Sequence, residues 1–480
     1  MSTRPSLTDV VKAYDVRGIV PAQLDPRVTR ALGAAFADVV VLPDGATACV
    51  IAHDMRDSSP ELSGAFAEGL RSRGVDVVAT GLASTDGLYY ASGALDLPGA
   101  MFTASHNPAA YNGIKLCRAG ARPVGQDTGL ADVRVLAERI LAGEVADPGG
   151  PSGALQDRDL LADYAAFLRG LVDLTGIRPL RVVVDAGNGM GGFTVPAVLE
   201  TGAGLPALPL TVIPLYFELD GTFPHHEANP LDPANLVDLQ DAVREHRADL
   251  GLAFDGDADR CFVIDEHGDP VSPSSITALI ARREVARAVA SGTDAADVAV
   301  VYNVICSAQV PEVIAATGAR GVRTRVGHSF IKGEMARHDA VFGGEHSAHY
   351  YFRDFWRADT GMLAALHVLA ALAEQDRPLS ELASAYERYV ASGEINSEVA
   401  DQAAGTKAVR YAFETRAGVV LDELDGLTVS GPDWWFNLRA SNTEPLLRLN
   451  VEAPDRPRME LLRDEVLGIV RPGSTDQKET

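Results

Sequence analysis

The chain has 480 residues, of which 46% are hydrophobic and 22% charged, and this composition is typical of a folded globular protein. Its formal net charge of −24 argues against partners such as nucleic acid or acidic membranes. No apolar run reaches the roughly 18 residues needed to cross a membrane, and the first residues lack the layout of a secretion signal.

The cysteines indicate a compartment. They are far apart in the sequence, and each lies in or beside an apolar run: Cys49, Cys117, Cys261 and Cys306. This pattern is typical of reduced thiols in a core, not of a disulfide framework or a zinc site. We therefore expect a cytoplasmic protein.

Strand-like segments recur along the chain, and several end in Gly, Asp or Asn before a helical pattern begins. The segments that contain them are residues 48–54, 75–81, 99–104, 180–192, 250–254, 261–269 and 299–307. Strands that alternate with helices form βαβ units, so we predict mixed, mostly parallel sheets. The last part differs, since residues 424–431, 434–441 and 446–454 resemble short antiparallel strands beside helices.

Loop-like segments divide the chain into four predicted domains. Residues 142–156 are rich in Gly, Pro and Ala, and further boundaries are expected near 266–275 and 388–397. We predict three α/β domains and a C-terminal α+β domain. Their ranges are 1–153, 154–268, 269–388 and 389–480.

A serine follows the predicted strand 99–104. Ser105 is followed at once by His106, Asn107 and Pro108, and an Asn-Pro pair prevents the chain from continuing as a helix. Ligands bind at the carboxyl ends of strands in open α/β sheets, so the hydroxyl is a candidate functional group. An ordinary turn is the alternative. The G-x-S-x-G motif is absent, which argues against an α/β-hydrolase nucleophile.

Three aspartates occupy alternate positions after the strand 250–254. Asp255, Asp257 and Asp259 would repel one another unless a hard cation lay among their oxygens, and such a set suits Mg²⁺. An EF-hand is disfavoured because Arg260 stands where that loop needs glycine. An aspartyl nucleophile at Asp255, as in haloacid dehalogenases, and a plain acidic turn remain alternatives.

A third candidate site lies at residues 343–350. Glu345, Ser347 and His349 alternate, so on an extended segment their side chains would point the same way. An acceptor, a hydroxyl and a titratable ring together suit the hydroxyl groups of a sugar. The alternative is a glycine turn before an edge strand.

A fourth candidate begins at Arg439. The guanidinium, hydroxyl and amide groups of Arg439, Ser441, Asn442 and Thr443 could together cradle a phosphate. A polar loop between strands is an equally good interpretation of these residues.

The four motifs in this order resemble the α-D-phosphohexomutase family, in particular its bacterial phosphomannomutase/phosphoglucomutase branch. The segments TASHNP, DGDADR, GEHSAH and RASNTEP are similar to its phosphoserine, magnesium, sugar-recognition and phosphate-binding loops. AYDVRG near the N-terminus and YNGIK after the serine also match family patterns. The resemblance covers nearly the whole chain.

The resemblance implies an architecture and a chemistry. It implies four domains around a central cleft, each supplying one loop, and a resting enzyme phosphorylated on Ser105. It implies Mg²⁺ as cofactor and hexose 1,6-bisphosphate as intermediate and activator. The implied reaction moves a phosphoryl group between O1 and O6 of a hexose. These oxygens lie on opposite sides of the sugar, so direct transfer is not possible, and a covalent phosphoserine would carry the group from one to the other.

The resemblance also implies residue roles. In these, Ser105 carries the phosphoryl group, and one of its phosphate oxygens joins Asp255, Asp257 and Asp259 around the metal. Arg17 and Arg260 hold phosphoryl oxygens, Lys115 and His349 act as general acid and base, and His106 shapes the serine loop and could assist proton transfer. The substrate-binding residues are Glu345, Ser347, His328, Arg439, Ser441, Asn442 and Thr443.

The expected activity is interconversion of mannose 6-phosphate and mannose 1-phosphate. Phosphoglucomutase or dual-specificity activity is the nearest alternative, followed by phosphoglucosamine mutase and a Mg²⁺-dependent phosphatase. The expected partners are small sugar phosphates, and the expected assembly is a monomer or homodimer. One departure is Ile305, which replaces a lysine expected in the two-substrate enzymes, so Arg323, Arg325, His328 and Lys332 are candidates to replace its contacts.

Overall fold

The computed structural model describes residues 6–441 and 446–471. The chain divides into two compact units. The first unit consists of Met1–Val271 and Ser347–Leu382, and the second consists of Ser272–His346 and Ala383–Thr480.

The first sheet belongs to the N-terminal part of the chain. Its strands are β1 (Val16–Ile19), β2 (Ala48–His53), β3 (Asp76–Leu82), β4 (Gly99–Phe102), β5 (Tyr111–Arg118), β6 (Arg122–Pro123) and β7 (Leu155–Asp157). The helices are α1 (Pro26–Phe36), which continues as a π-helical turn (Ala37–Val41), α2 (Ser59–Arg71), α3 (Thr85–Leu95) and α4 (Leu130–Leu141). The strand order is β1-β5-β4-β2-β3-β7, with β6 paired to β5. The sheet is mixed, because β2, β3, β4 and β7 are parallel whereas β5 pairs antiparallel with β1 and β4.

The core of this domain depends on close helix packing. A Cβ atom at Gly33 would lie 2.2 Å from the Phe66 carbonyl oxygen, so α1 and α2 can approach this closely only with glycine there. Phe66 packs edge-on against Phe102 of β4, with ring centroids 5.4 Å apart. The packing fixes the end of β4, from which the serine loop extends.

The second sheet is formed by the next segment of the first unit. Its elements are α5 (Leu161–Leu171), β8 (Leu180–Asp185), α6 (Gly191–Val198), β9 (Leu210–Leu215), α7 (Val237–His246), β10 (Leu250–Phe254), β11 (Cys261–Ile264) and β12 (Pro270–Val271). The strand order is β12-β11-β10-β8-β9. All five residues of β10 are buried. The loop of residues 255–260, here called the Asp loop, therefore leaves the centre of the sheet, between β10 and its antiparallel neighbour β11.

The third segment contributes to both units. In the second unit it forms α8 (Pro273–Ala290), β13 (Ala299–Asn303), α9 (Gln309–Ala316), β14 (Arg320–Thr324), α10 (His328–His338) and β15 (Phe342–Gly344). Strand β13 pairs parallel with β14 and β15. In the first unit it forms an antiparallel pair, β16 (Tyr350–Phe352) and β17 (Ala358–Asp359), and the buried helix α11 (Gly361–Ala373). Helix α12 (Leu379–Ser384) follows.

The C-terminal part is an α+β domain in the second unit. Its elements are β18 (Val390–Glu398), α13 (Gln402–Phe413), β19 (Val420–Asp422), β20 (Leu427–Ser430), β21 (Trp435–Ala440), β22 (Leu446–Ala453) and α14 (Arg456–Val470). The strands pair antiparallel in the order β18-β22-β21-β20-β19. Their apolar side packs against α13 and α14, where Phe413, Phe436 and Val466 are fully buried.

The predicted fold class is confirmed: mixed α/β sheets precede an antiparallel C-terminal sheet with helices. The predicted strand segments at 48–54, 180–192 and 250–254 contain β2, β8 and β10, and β8 ends earlier than its segment, at Asp185. The four domain ranges stay a prediction. Across residues 6–441 and 446–471, the helices are all too short or too polar to cross a membrane. All four cysteines are buried and free.

Candidate active site

The serine loop is a tight turn between β4 and β5. The Ser105 amide donates to Thr103 Oγ1 at 2.9 Å, and the Asn107 amide donates to the Ala104 carbonyl at 3.0 Å. The Ser105 backbone is left-handed, with φ of 51°. The residue is only 4% exposed. The local contacts therefore place a buried hydroxyl after β4, at the carboxyl edge of the sheet.

The Asp loop approaches this serine closely. A Cβ atom at Gly256 would lie 2.4 Å from the Ser105 carbonyl oxygen, so glycine is required between the first two aspartates. The Ser105 hydroxyl donates to Asp255 Oδ2 at 2.8 Å. The predicted serine and the predicted acidic loop thus form one site in the first unit.

Arg260 closes the Asp loop on the same side. Its backbone amide donates to Asp255 Oδ1 at 3.1 Å and its Nε donates to Asp255 Oδ2 at 2.9 Å. Its Nη2 lies 3.3 Å from the Ser105 hydroxyl oxygen. The guanidinium is buried, and although burial opposes its charge, Asp255 and the other aspartates raise the pKa of Arg260 above its ordinary value. A fixed positive charge therefore faces the serine.

The three carboxylates fit a metal ion. One oxygen each of Asp255, Asp257 and Asp259 lies within 4.8 Å of the others, and all three residues are buried. Asp257 Oδ1 and Asp259 Oδ1 are buried and accept no hydrogen bond. Burial raises the pKa of Asp255 above its ordinary value, in spite of Arg260. Buried carboxylate oxygens that accept no hydrogen bond are suited to binding a hard cation, so the cluster could hold a metal ion.

Lys115 lies across the other side of the cluster. Its Nζ donates to Asp257 Oδ2 at 2.7 Å and to Asp259 Oδ2 at 2.5 Å. Burial lowers the pKa of Lys115, but the attraction of Asp257 and Asp259 outweighs it and raises that pKa well above its ordinary value. Lys115 is therefore a protonated cation bound to two of the three clustered aspartates. Thr85 also donates to Asp257 Oδ2, at 2.6 Å.

His106 and Arg17 support the serine loop. His106 Nδ1 accepts from Arg260 and lies 3.2 Å from the Ser105 hydroxyl oxygen. Burial, followed by Arg260 and Arg17, lowers the pKa of His106 to about 2, so the ring is neutral at physiological pH. Arg17 donates to the Ala104 carbonyl at 3.2 Å and to the Asn107 amide oxygen. These contacts favour the shaping role predicted for His106 over proton transfer.

His349 lies beside the Asp loop in the first unit. Its Nε2 is 3.6 Å from Asp259 Oδ1, and Arg260 and His349 form a backbone bridge. The Ser347 hydroxyl lies 3.1 Å from His349 Nδ1. The ring is thus oriented by Ser347 on one nitrogen and directs the other toward the acidic cluster.

The remaining part of the predicted sugar loop belongs to the second unit. Glu345 follows β15, is buried, and accepts from Asn303 Nδ2 at 3.1 Å. His346 is oriented differently, since its Nδ1 lies 2.9 Å from the Ser274 hydroxyl oxygen. A cavity of about 160 Å³ is lined by His346 and by Ile305, the residue found where a lysine was expected.

The predicted phosphate site lies at the end of β21. Arg439 Nη2 donates to Glu394 Oε2 at 2.9 Å, and Arg448 lies 3.5 Å from the other oxygen of the same carboxylate. The Ser441 amide donates to the Leu446 carbonyl at 2.8 Å. Asn442 and Thr443 lie outside the described residues. The guanidinium of Arg439, which was predicted to bind phosphate, is therefore paired with the Glu394 carboxylate in this structure.

The candidates to replace the missing lysine have other partners. Arg323 donates to Asp422 and, at 3.1 Å, to Thr428 Oγ1. Arg325 lies over the Phe330 ring, 4.8 Å from its centroid. His328 is half-buried at the start of α10, and Lys332 is buried in that helix. The contacts of Arg323 and Arg325 account for both side chains without a ligand.

Sequence comparisons place this site among known proteins. The chain is 38% identical to a phosphomannomutase of Escherichia coli over 96% of its length and 98% of the relative's. It is 36% identical to a phosphomannomutase of Vibrio cholerae over 95% of its length and 96% of the relative's. The chain belongs to the phosphoglucomutase/phosphomannomutase family. Models of the four domains of this family match the chain in order. The alpha/beta/alpha domains I, II and III match residues 8–137, 162–268 and 272–389, and the C-terminal domain matches residues 394–469.

A solved structure of this family has the same fold. A phosphoglucomutase/phosphomannomutase family protein from Burkholderia thailandensis superposes with a TM-score of 0.83 and is 31% identical. The superposition covers 97% of this chain and 98% of that one. The family expected from the sequence motifs is therefore confirmed.

Two residues that were not identified from the sequence contact the serine loop and the Asp loop, namely Arg56 and Thr85. Arg56 donates to backbone carbonyls of the serine loop, and Thr85 donates to Asp257. Arg56 could have been found, because it follows the predicted strand 48–54 at the same edge as Ser105. Thr85 begins α3 and contacts a residue far away in sequence, so no local pattern indicates it.

Proposed function

We propose that this chain is a phosphomannomutase that interconverts mannose 6-phosphate and mannose 1-phosphate through a phosphoserine at Ser105. The observation that carries the proposal is the 2.8 Å hydrogen bond from the Ser105 hydroxyl to Asp255, within a buried cluster of three carboxylates. A plain turn would not need a buried acidic cluster beside its hydroxyl. The names of the relatives at 36% and 38% identity support mannose phosphate as substrate.

The first half-reaction transfers the phosphoryl group from Ser105 to the sugar. The O1 hydroxyl of mannose 6-phosphate attacks phosphorus, the new O1–P bond forms, and the bond from phosphorus to Ser105 Oγ breaks. The O1 proton passes to a base, and Ser105 Oγ receives a proton. The products are mannose 1,6-bisphosphate and unmodified serine.

The second half-reaction regenerates the phosphoserine after the bisphosphate has turned over in the site. Ser105 Oγ gives up its proton and attacks the phosphorus on O6, the bond from phosphorus to O6 breaks, and O6 takes up a proton. Mannose 1-phosphate leaves. The second half-reaction is the reverse of the first, carried out at the other end of the sugar. The same two groups can therefore serve both, with their acid and base roles exchanged.

Lys115 and His349 are the residues we assign to proton transfer. Lys115 is held protonated by Asp257 and Asp259, so it can donate to the oxygen that leaves phosphorus. His349 is oriented by Ser347 and borders the same cluster, which suits a base for the attacking hydroxyl. Arg260 and Arg17 place positive charge beside the transferring group.

Asp255, Asp257 and Asp259 would hold Mg²⁺. When bound, the ion would offset the charge on the transferring phosphoryl group. Glu345 and Ser347 would accept from and donate to the sugar hydroxyls, and Arg439 and Ser441 would hold the phosphate that does not react. Asn442 and Thr443 are proposed for the same phosphate from the sequence alone.

The wider setting follows from composition. Sugar phosphates are the proposed small-molecule partners, and hexose 1,6-bisphosphate is the proposed activator. The buried free cysteines support the cytoplasm as the compartment. We propose a monomer or homodimer that binds neither nucleic acid nor membrane, in keeping with the net charge of −24.

Parallel coupled assays test the assignment. Mannose 1-phosphate, glucose 1-phosphate and glucosamine 1-phosphate are supplied in turn, with Mg²⁺ and catalytic glucose 1,6-bisphosphate. We expect the highest kcat/KM for mannose 1-phosphate and the next for glucose 1-phosphate. A strong preference for glucosamine 1-phosphate would overturn the substrate assignment, and release of inorganic phosphate without isomerisation would favour a phosphatase.

A further inference from the structure

The backbone of Ser105 needs support from its surroundings. Its φ of 51° lies in the left-handed region, where a side chain crowds the following carbonyl oxygen. Such a conformation persists only where neighbouring contacts hold it, and residues of this kind cluster at functional sites. The two ends of the residue have different partners: the hydroxyl donates to Asp255, and the carbonyl accepts from Arg56.

Arg56 contacts the serine loop at four backbone carbonyl groups. Its Nη2 donates to the carbonyls of Ser105 at 2.9 Å and Asn107 at 2.6 Å. Its Nη1 donates to the carbonyls of Pro108 and Tyr111, both at 3.0 Å. One planar group therefore fixes the turn from the serine to the first residue of β5.

Arg56 is itself held in place by buried contacts. Its side chain is 2% exposed, and Nε lies 3.3 Å from Asp54 Oδ2. The Phe223 ring covers the guanidinium, with its centroid 5.1 Å from Cζ. A Cβ atom at Gly221 would lie 2.7 Å from the Arg56 Cα, so the loop carrying Phe223 packs directly on this residue.

Thr103 supports the other side of the same peptide unit. Its Oγ1 accepts from the Ser105 amide at 2.9 Å, and its hydroxyl interacts with the Asp54 carboxylate. Asp54 Oδ1 also accepts from the Arg56 amide at 3.0 Å. The amide and the carbonyl of Ser105 are thus tied to one buried network.

We propose that Arg56, together with Thr103, is a positioning residue for phosphoryl transfer. Arg56 holds the Ser105 carbonyl and Thr103 holds the amide, which keeps the serine in the left-handed conformation that aims Oγ at Asp255. This role rests on the proposed function, in which Ser105 carries the phosphoryl group. Arg56 acts through the backbone, whereas Arg260 faces the reacting oxygen.

The chemistry of the side chain makes the role specific to arginine. A guanidinium has five N–H donors in a rigid plane, and here four carbonyls accept from its two terminal nitrogens. A lysine would keep the charge but has three donors on a single nitrogen. Arg56→Lys therefore removes the planar arrangement and preserves the charge.

The test is the full-length Arg56→Lys variant, assayed with mannose 1-phosphate, Mg²⁺ and glucose 1,6-bisphosphate. We expect kcat to fall about 100-fold, because small misplacements of reacting groups have effects of that size, while KM changes little. The rate at which glucose 1,6-bisphosphate labels Ser105, measured by mass spectrometry, should fall by a similar factor. A wild-type kcat and labelling rate, or a change in stability alone, would overturn the proposal.

Arg73→Lys is the matched control. The Arg73 side chain is 4% exposed, and the guanidinium donates to the Ala146 carbonyl at 3.0 Å in the same domain. This variant should lose stability without a change in kcat. An equal fall in kcat for Arg73→Lys and Arg56→Lys would show a general effect of arginine loss and contradict the proposal.

A second pair of variants decides the matter if Arg56→Lys does not fold. Thr103→Val removes the acceptor for the Ser105 amide at nearly constant shape, and Thr103→Ser retains it. We expect a reduced kcat for Thr103→Val and near-normal kcat for Thr103→Ser, and equal values would overturn the proposal. Failure of the wild-type protein to acquire phosphate on Ser105 would instead refute the proposed function, and the role of Arg56 with it.

Discussion

The residues around Ser105 differ from those predicted to bind the rest of the substrate. In the first unit, Ser105, the aspartates and Arg260 are buried, and Ser105 and Arg260 both donate hydrogen bonds to Asp255. In the second unit, Arg439 pairs with Glu394, whose side chain is 31% exposed. Ion pairs of the second kind contribute little free energy, so a phosphate can replace the carboxylate. We therefore propose that the chemical groups are set by the fold, whereas the proposed recognition groups would exchange partners on substrate binding.

The largest expected effect tests the buried side of this comparison. Ser105→Ala removes the oxygen that forms the bond to phosphorus, so turnover should fall by orders of magnitude. Binding of mannose 1-phosphate should persist, because the recognition residues are unchanged. Coupled assays and calorimetric titration measure the two quantities, and unchanged turnover would contradict the phosphoserine role.

A smaller but still large effect is expected at the acidic cluster. Asp257→Asn removes a charge from the proposed metal site and from the partner of Lys115, and kcat should fall by about 10²–10³. A chelator should abolish the activity of the wild-type protein, and added Mg²⁺ should restore it. The control is Asp249→Asn, which loses a half-exposed pair with Arg178 and should keep wild-type kcat. Full activity of the chelated wild-type protein would argue against a metal requirement.

Substitution of a residue proposed to bind the non-reacting phosphate should raise KM. Arg439→Met removes a charged donor to the proposed phosphate, and the loss of one such hydrogen bond corresponds to an increase in KM of about 10–100-fold. We expect kcat to change little. Arg416→Met, which loses a pair with Glu465 in the same domain, is the control and should leave KM unchanged. If kcat fell at Arg439 and KM did not, the distinction between the two regions would be wrong.

The smallest effect concerns stability rather than turnover. Burial raises the pKa of Asp86 from 3.8 to about 6, although Ser84, Thr360 and Tyr164 donate hydrogen bonds to it. The folded state therefore keeps a proton that the unfolded state loses, so the free energy of unfolding should fall as pH rises from about 4 to about 6. The difference corresponds to about 3 kcal/mol.

Asp86→Asn cannot titrate and should lack this part of the pH dependence. Urea denaturation of both proteins at pH values across that window measures the difference. Parallel curves for the wild-type protein and the variant would show that Asp86 does not titrate in this range. The difference between the two curves measures the stability that is lost when the buried Asp86 carboxyl group becomes charged.

Much of the fold and the central site could be predicted from the sequence. Strands β4 and β10 lead into polar residues at the carboxyl edges of their two sheets, and this general rule of α/β sheets pointed to Ser105 and the aspartates. The position of Arg56 after the strand at 48–54 was an available signal that was not used, whereas no local pattern indicates Thr85, whose partner Asp257 is distant in sequence. The sequence also could not indicate that Arg323 pairs with Asp422, which is a contact made only in three dimensions.

The most direct test of the central claim is peptide mapping by mass spectrometry after incubation with glucose 1,6-bisphosphate and Mg²⁺. We predict one phosphoryl group on Ser105 when the bisphosphate carries an isotopic label. After removal of the bisphosphate, excess mannose 6-phosphate should carry that label away as mannose 1-phosphate, because the second half-reaction re-forms the phosphoserine with an unlabelled phosphoryl group. Phosphate on Asp255, released by hydroxylamine, or retention of the labelled phosphoryl group on Ser105 in the presence of excess mannose 6-phosphate, would contradict the account.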